Sequence, residues 1–165
     1  MSEIFISKSE RETENIAYNL AKENKINFGD IIALRGDLGA GKTAFTRGLT
    51  KFFSPESRVT SPTFSLVNEY KINDKTRNDK NNKMRNDTGV VPYKKILHFD
   101  MYRINSEEDL LSVGFYDYLE DLSEKIIIIE WFEKIADFFD ENTINIDIVK
   151  SNENEREIIY ADTRD

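Results

Sequence analysis

The sequence predicts one α/β domain in which a mostly parallel sheet is flanked by helices and carries antiparallel edge strands. Short apolar runs over 31–34 and 126–129 are typical of strands that are buried on both faces. These runs alternate along the chain with segments of helical periodicity, which favours parallel strands joined by helices. The length of 165 residues suits one domain, 1–165, and is short for two.

The first half of the chain has a clear signal at the start or end of most elements. Hydroxyls at Ser7 and Ser9 and acids over 10–14 are typical of a helix N-terminus, and Ser54-Pro55 ends the second helix. The segment 63–71 alternates between apolar and polar residues, as a half-buried strand does. The predicted elements are a strand over 4–6, a helix from Ser9 to about Asn24, a strand over 31–35, a helix over 42–53 and a strand over 63–71.

The second half continues the alternation and closes with a hairpin. Ser106 and the acids after it are typical of a capped helix start. Residues 151–155 separate two alternating segments, which predicts antiparallel strands around a turn. The predicted elements are strands over 95–100 and 126–130, an amphipathic helix over 131–139, and strands over 143–150 and 157–162.

Residues 73–92 interrupt this pattern. The segment contains five asparagines and almost no apolar residues, so we expect a solvated or disordered insert between two adjacent strands. A basic arm that touches RNA is the alternative, although mixed Asn/Lys/Asp tracts lack the dense arginine of such arms.

Composition excludes several classes of protein. The absence of cysteine excludes thiol catalysis, zinc ribbons and disulfides, and the single histidine excludes a multi-histidine metal site. The net charge is −8. This charge disfavours binding to nucleic acid without a partner, because affinity for nucleic acid depends on neutralisation of phosphates by Lys and Arg. No segment resembles a signal peptide or is apolar enough to cross a membrane, so we expect a soluble, cytoplasmic protein.

The strongest functional signal is a glycine-rich turn between the predicted strand 31–35 and the predicted helix 42–53. It matches the P-loop pattern G-x-x-x-x-G-K-[ST], whose backbone amides form a concave site for phosphate oxygens. The lysine reaches the β- and γ-phosphates, and the final hydroxyl is a ligand for Mg²⁺. The residues of the turn are Gly36, Asp37, Leu38, Gly39, Ala40, Gly41, Lys42 and Thr43.

Two further predicted strands end in acids, Asp100 and Glu130. In a P-loop NTPase-like domain the carboxyl ends of the strands line the ligand crevice, so these carboxylates are expected beside the turn. There they would hold Mg²⁺ and orient an attacking water molecule; the alternative is that one of them only caps a strand. The sequence has no N-K-x-D motif for guanine, which favours ATP.

Four motifs in order resemble the TsaE (YjeE) family, small bacterial ATPases of tRNA threonylcarbamoyladenosine (t6A) synthesis. The resemblance covers roughly residues 9–159 apart from the insert. The motifs are G-D-L-G-A-G-K-T at 36–43, T-S-P-T-F-S-L-V-N-E-Y at 60–70, H-F-D-M-Y-R-I at 98–104 and I-E-W at 129–131.

The resemblance implies an ATPase that binds ATP and Mg²⁺ and is slow alone. It implies a monomer that assembles with the TsaB and TsaD proteins, meets tRNA only through that complex and has no contact with membranes. Carried over by motif, the turn 36–43 binds phosphates, Lys42 and Asp100 serve hydrolysis, and Thr43 and Glu130 ligate Mg²⁺. By the same resemblance, Glu10 and Arg156 contact the nucleotide, and Ser61-Pro62-Thr63 forms a switch-like loop that senses the γ-phosphate.

Other interpretations stay open at this point. His98 is a packed, hydrogen-bonded residue or a catalyst, and Trp131 covers the nucleotide site or only packs. A small-molecule kinase shares the turn and the size, although such kinases usually carry an arginine-rich lid. A nucleotide-gated binding module with incidental hydrolysis is the third possibility.

Overall fold

A seven-stranded sheet forms the centre of the computed structural model, which describes residues 2–72, 93–139 and 142–163. The expected insert over 73–92 lies outside the described residues. Short 3₁₀ turns at Phe115–Leu119, Leu122–Glu124, Phe132–Lys134 and Ala136–Phe138 supplement the main elements. The main elements are β1 (Ser2–Ser7), α1 (Glu10–Lys22), β2 (Ile31–Arg35), α2 (Lys42–Phe53), β3 (Val67–Lys71), β4 (Lys95–Asp100), α3 (Glu107–Ser112), β5 (Lys125–Glu130), β6 (Ile144–Lys150) and β7 (Arg156–Asp162).

The strand order is β1-β7-β6-β2-β5-β4-β3. The four central strands, β6, β2, β5 and β4, are parallel to one another. Toward one edge, β3 runs antiparallel to β4, and toward the other edge β7 runs antiparallel to both β6 and β1. The predicted α/β class, with a parallel centre and antiparallel strands toward the edges, is confirmed. All three central crossovers therefore return the chain to the same edge, where the strands present their carboxyl ends together.

The apolar runs are buried because both faces of the central strands are covered. Along β2, Ile32 and Leu34 face a core beneath α1 and α2, whereas Ile31 and Ala33 face a second core beneath α3 and the 3₁₀ turns. The second core is rich in aromatic residues, and Phe99 packs edge to face against the Phe115 ring at 5.2 Å between ring centres. Continuous apolar sequence, rather than alternation, follows from this double coverage.

Helices α1 and α2 approach so closely that one position of α2 has no room for a side chain. A Cβ atom at Gly48 would lie 2.1 Å from the carbonyl oxygen of Glu14. We expect Gly48→Ala to lower the free energy of unfolding by about 2 kcal/mol, because one helix must move away from the other. Urea unfolding measures this, with Asn15→Ala on the exposed side of α1 as the control within about 0.5 kcal/mol. Equal stability of the two variants would contradict the close packing.

Two sequence predictions require correction. The strand predicted over 63–71 begins only at Val67, because Leu66 has a left-handed backbone (φ 67°) and its N–H closes a turn on the carbonyl of Pro62. The helix predicted over 131–139 is wrong: the segment forms two 3₁₀ turns. Trp131, directly after β5, also has a left-handed backbone (φ 59°), and the chain then turns sharply so that its aromatic side chains enter the second core.

Candidate functional site

The glycine-rich turn joins the carboxyl end of β2 to the N-terminus of α2. Gly36 has a φ of 145°, and a Cβ atom there would lie 2.6 Å from the carbonyl oxygen of Ile148 on β6. Gly41, with a φ of 116°, is the N-cap of the twelve-residue helix α2. A side chain would therefore disrupt the turn at Gly36, and the left-handed conformation at Gly41 favours glycine. The unpaired amides at the start of α2 and its dipole make this end of the helix suited to an anion.

Lys42, the first residue of α2, is only 5% exposed. Its ammonium group donates hydrogen bonds to the carbonyl oxygens of Gly36 and Asp37, the latter at 3.0 Å. The same nitrogen lies 3.9 Å from the centre of the Trp131 ring. Burial lowers the pKa of Lys42, and the nearby charge of Glu130 opposes this shift. The Lys42 ammonium is thus a buried cation that is hydrogen-bonded to the backbone of the turn.

The two acids at the ends of β4 and β5 are neighbours. Asp100 and Glu130 occupy the same register position of this parallel pair, and both are nearly buried, at 6% and 3% exposed. The hydroxyl of Thr43 donates a hydrogen bond of 3.2 Å to Oε1 of Glu130. The fold therefore brings together the turn and both strand-end acids, as the strand order predicts.

Asp100 is oriented by three donors. Its Oδ2 accepts hydrogen bonds from the hydroxyls of Ser61 (3.2 Å) and Thr63 (3.0 Å), and its Oδ1 accepts one from the backbone N–H of Tyr102 (3.0 Å). The two hydroxyls are also 2.8 Å apart. Sequence reasoning singled out this loop but missed its contact with the acid, because the two segments are 37 and 39 residues apart.

A first cleft of about 330 Å³ opens beside these groups, on the side of the turn that faces β4 and β5. Sequence reasoning missed Tyr102, which lines the cleft and packs its ring 5.1 Å from that of Trp131. Its position inside the H-F-D-M-Y-R-I motif was the available signal. The full lining is Leu38, Gly39, Lys42, Thr43, Ser61, Thr63, Asp100, Tyr102, Glu130 and Trp131.

A second cleft of about 360 Å³ lies on the other side of the turn and shares Gly39 and Thr43 with the first. Glu10 and Arg156, which the sequence places 146 positions apart, both line it, together with Thr13, Gly41 and Ala44. The Arg156 side chain donates a hydrogen bond of 2.7 Å from Nε to the carbonyl of Ala40. Glu10 accepts one of 3.1 Å from Arg47. Arg156, the first residue of β7, therefore binds the backbone of the phosphate-binding turn beside the second cleft.

The chemistry of the oxygen donors suits a hard divalent cation. Thr43, Asp100 and Glu130 offer one hydroxyl and two carboxylates, and Mg²⁺ in nucleotide sites takes one or two such groups and completes its shell with water and phosphate. In the part of the chain that the structure describes, no group of three or more acidic or histidine side chains forms a cage that would hold a metal by itself. These residues suit Mg²⁺ that is bound together with a phosphate ligand.

Comparisons with known proteins agree on one family. The family model for the threonylcarbamoyl adenosine biosynthesis protein TsaE matches residues 7–158. The "tRNA threonylcarbamoyladenosine biosynthesis protein TsaE" of Rickettsia felis is 35% identical over 93% of this chain and 76% of its own length. The protein of the same name from Bacillus subtilis is 32% identical over 81% of this chain and 70% of its own length.

A solved structure resembles the chain over nearly its whole length. The crystal structure of Bacillus subtilis YdiB superimposes with a TM-score of 0.69 at 25% identity, covering 98% of this chain and 86% of that one. In the described residues, no helix has the length and apolar character that a membrane span requires.

Proposed function

Because the chain belongs to the TsaE family of threonylcarbamoyl adenosine biosynthesis proteins, we propose that it is the Mg²⁺-dependent ATPase of that pathway. The observation that carries this proposal is the convergence of Lys42, Asp100 and Glu130 on one cleft beside the glycine-rich turn. A buried cation, a phosphate-binding turn and two carboxylates are the groups that phosphoryl transfer to water requires.

In this proposal the turn 36–43 binds the phosphates through its backbone amides and the positive end of the α2 dipole. Lys42 exchanges its bonds to the carbonyls of Gly36 and Asp37 for bonds to phosphate oxygens. The exchange is favourable because a charge-assisted bond to a phosphate is stronger than a bond to a neutral carbonyl.

Thr43 and Glu130 would hold Mg²⁺, which when bound neutralises charge on the phosphate oxygens. Asp100 accepts a hydrogen bond from the attacking water and orients it. The donors from Ser61, Thr63 and Tyr102 fix the carboxylate for this task. The 61–63 loop is thereby bonded to the reacting region, which supports the switch-like role expected from the family resemblance.

The second cleft is the place for the nucleoside end of ATP. Glu10 and Arg156 line it, and it joins the first cleft at Gly39 and Thr43, so one extended ligand would contact both. We assign ATP rather than GTP because the sequence has no N-K-x-D motif for guanine.

We further propose that the chain works with the TsaB and TsaD proteins and meets tRNA only through them. Residues 100–165 carry a net charge of −13, which opposes direct contact with RNA phosphates over that part of the chain. Modification of the adenosine beside the anticodon would belong to the partner complex, and the ATPase cycle would support its repeated turnover.

The deciding experiment measures inorganic phosphate release from Mg-ATP with and without the TsaB–TsaD pair. We expect slow release by the chain alone and a large stimulation by the pair. Phosphate transfer to a small alcohol without inorganic phosphate release would identify a kinase and contradict the proposal.

The single tryptophan provides an independent test of nucleotide binding. Trp131 lines the first cleft and lies against the Lys42 ammonium, so displacement of that ammonium toward a phosphate changes its surroundings. We expect the intrinsic fluorescence to change on titration with Mg-ATP and to stay constant in a Lys42→Ala variant. An unchanged signal in the wild type, with binding shown by calorimetry, would contradict the placement of the phosphates.

A further inference from the structure

His98, the only histidine in the sequence, contacts Glu130 in the wall of the first cleft and has no role in the mechanism above. It is on β4, two residues before Asp100, and is 0% exposed. Its Nε2 lies 2.8 Å from Oε1 of Glu130 on the neighbouring strand. Burial of a polar side chain is costly unless a hydrogen-bond partner compensates for the lost hydration.

The direction of this hydrogen bond follows from the groups involved. An ionised carboxylate only accepts hydrogen bonds, so Nε2 carries the proton and donates it. Nδ1 is buried and has no partner among the described residues. A second N–H at that position would be an unpaired buried donor, which is rarer in folded proteins than an unpaired acceptor. The arrangement therefore favours a proton on Nε2, where the ring donates it to Glu130.

The contact fixes one oxygen of Glu130 and leaves the other available. Oε1 accepts from the Thr43 hydroxyl at 3.2 Å and from His98 at 2.8 Å, on two different elements of the fold. Among the described residues, no hydrogen bond is made to Oε2. Two donors on one oxygen restrict rotation of the carboxylate, so the remaining oxygen has a defined position at the wall of the cleft.

We propose that His98 is a positioning residue that holds Glu130 in the orientation required for Mg²⁺, an inference that rests on the proposed function. Partners of this kind set the orientation and basicity of a metal ligand, and their removal commonly weakens metal binding by about 10- to 100-fold. His98 would act only through Glu130 and would not touch the nucleotide.

Two substitutions separate positioning from simple packing. His98→Leu fills the space but has no donor, whereas His98→Gln places an amide N–H close to the former Nε2. Calorimetric titration of Mg²⁺ into the protein–ADP complex gives the half-saturating concentration. We expect His98→Leu to raise it about tenfold and His98→Gln to stay within about threefold of wild type. Binding of ADP in the presence of EDTA should be unchanged in both.

The proposal is contradicted if both variants fold and bind Mg²⁺ like wild type, or if both are weakened equally. Glu130→Gln is the reference: if it loses Mg²⁺ binding while His98→Leu keeps it, this inference fails and the proposed function stands. If the wild type itself shows no Mg²⁺ dependence of nucleotide binding, the proposed function fails and this inference fails with it.

A spectroscopic measurement on the wild type needs no variant and holds even if His98→Leu does not fold. With one histidine in the chain, ¹⁵N-histidine labelling gives the signals of a single ring. We expect the ring signals to show a proton on Nε2 in the folded protein. A ring protonated on Nδ1 alone would remove the donor to Glu130 and overturn the proposal.

Discussion

Lys42→Ala is expected to reduce ATP hydrolysis by about a hundredfold or more and to abolish the support of t6A synthesis. The reason is that, among the residues that the structure describes, the Lys42 ammonium is the one buried cation lining the first cleft. Removal of a single preorganised charge or donor commonly costs a factor of this size. The measurements are phosphate release and multiple-turnover modification of tRNA in the presence of TsaB and TsaD.

The control is Lys51→Ala, which removes an exposed lysine from the last turn of the same helix. It should hydrolyse ATP like wild type, which shows that the effect belongs to the position of Lys42 and not to the charge of α2. Circular dichroism must show that both variants fold, because Lys42 also bonds to the carbonyls of Gly36 and Asp37. Undiminished multiple-turnover modification by Lys42→Ala would refute the proposed function.

Asp100→Asn is expected to slow hydrolysis by about a hundredfold while nucleotide binding persists. Asparagine keeps the shape and one acceptor oxygen but loses the negative charge that strengthens the hydrogen bond from water. General acid–base groups commonly contribute a factor of about 10²–10⁴ to the reaction rate. The amide also places an N–H₂ group at one of the two oxygen positions. Either the two hydroxyl bonds to Oδ2 must reverse, or the bond from the Tyr102 N–H to Oδ1 is lost.

This variant also distinguishes an ATPase cycle from nucleotide gating. If Asp100→Asn binds ATP and TsaB–TsaD but supports only one round of modification, turnover of ATP drives the cycle. If it supports repeated rounds without hydrolysis, ATP acts only as a binding switch and the ATPase proposal is wrong in its central step. Asp137→Asn, at an exposed position outside both clefts, is the matched control and should behave like wild type.

The sequence was most informative where a structure depends on neighbours along the chain. The phosphate-binding turn and the bounds of α2 were predicted to the residue, because glycines, a lysine and the Ser54-Pro55 stop act locally. Local signals misled where a backbone turn overrode the pattern. A left-handed residue at Leu66 delays the start of the strand predicted over 63–71, and another at Trp131 stands where the predicted helix would begin. Leucine and tryptophan rarely adopt this conformation, so the sequence gives no sign of it.

What the sequence by itself determined is the α/β class, the phosphate-binding turn and the acids that end β4 and β5. The class follows from the order of short local patterns along the chain, and the turn and the acids follow from residues that are adjacent in sequence. Only the tertiary structure decided which groups hold these residues in place. The side-chain partners of Asp100 and Glu130 come from segments 32 to 87 positions away, and Arg156 contacts Ala40 across 116 positions. Such contacts depend on the strand order β1-β7-β6-β2-β5-β4-β3. That order is set by long-range strand pairing and by the packing of two helical layers, and short-range periodicity in the sequence contains no information on either.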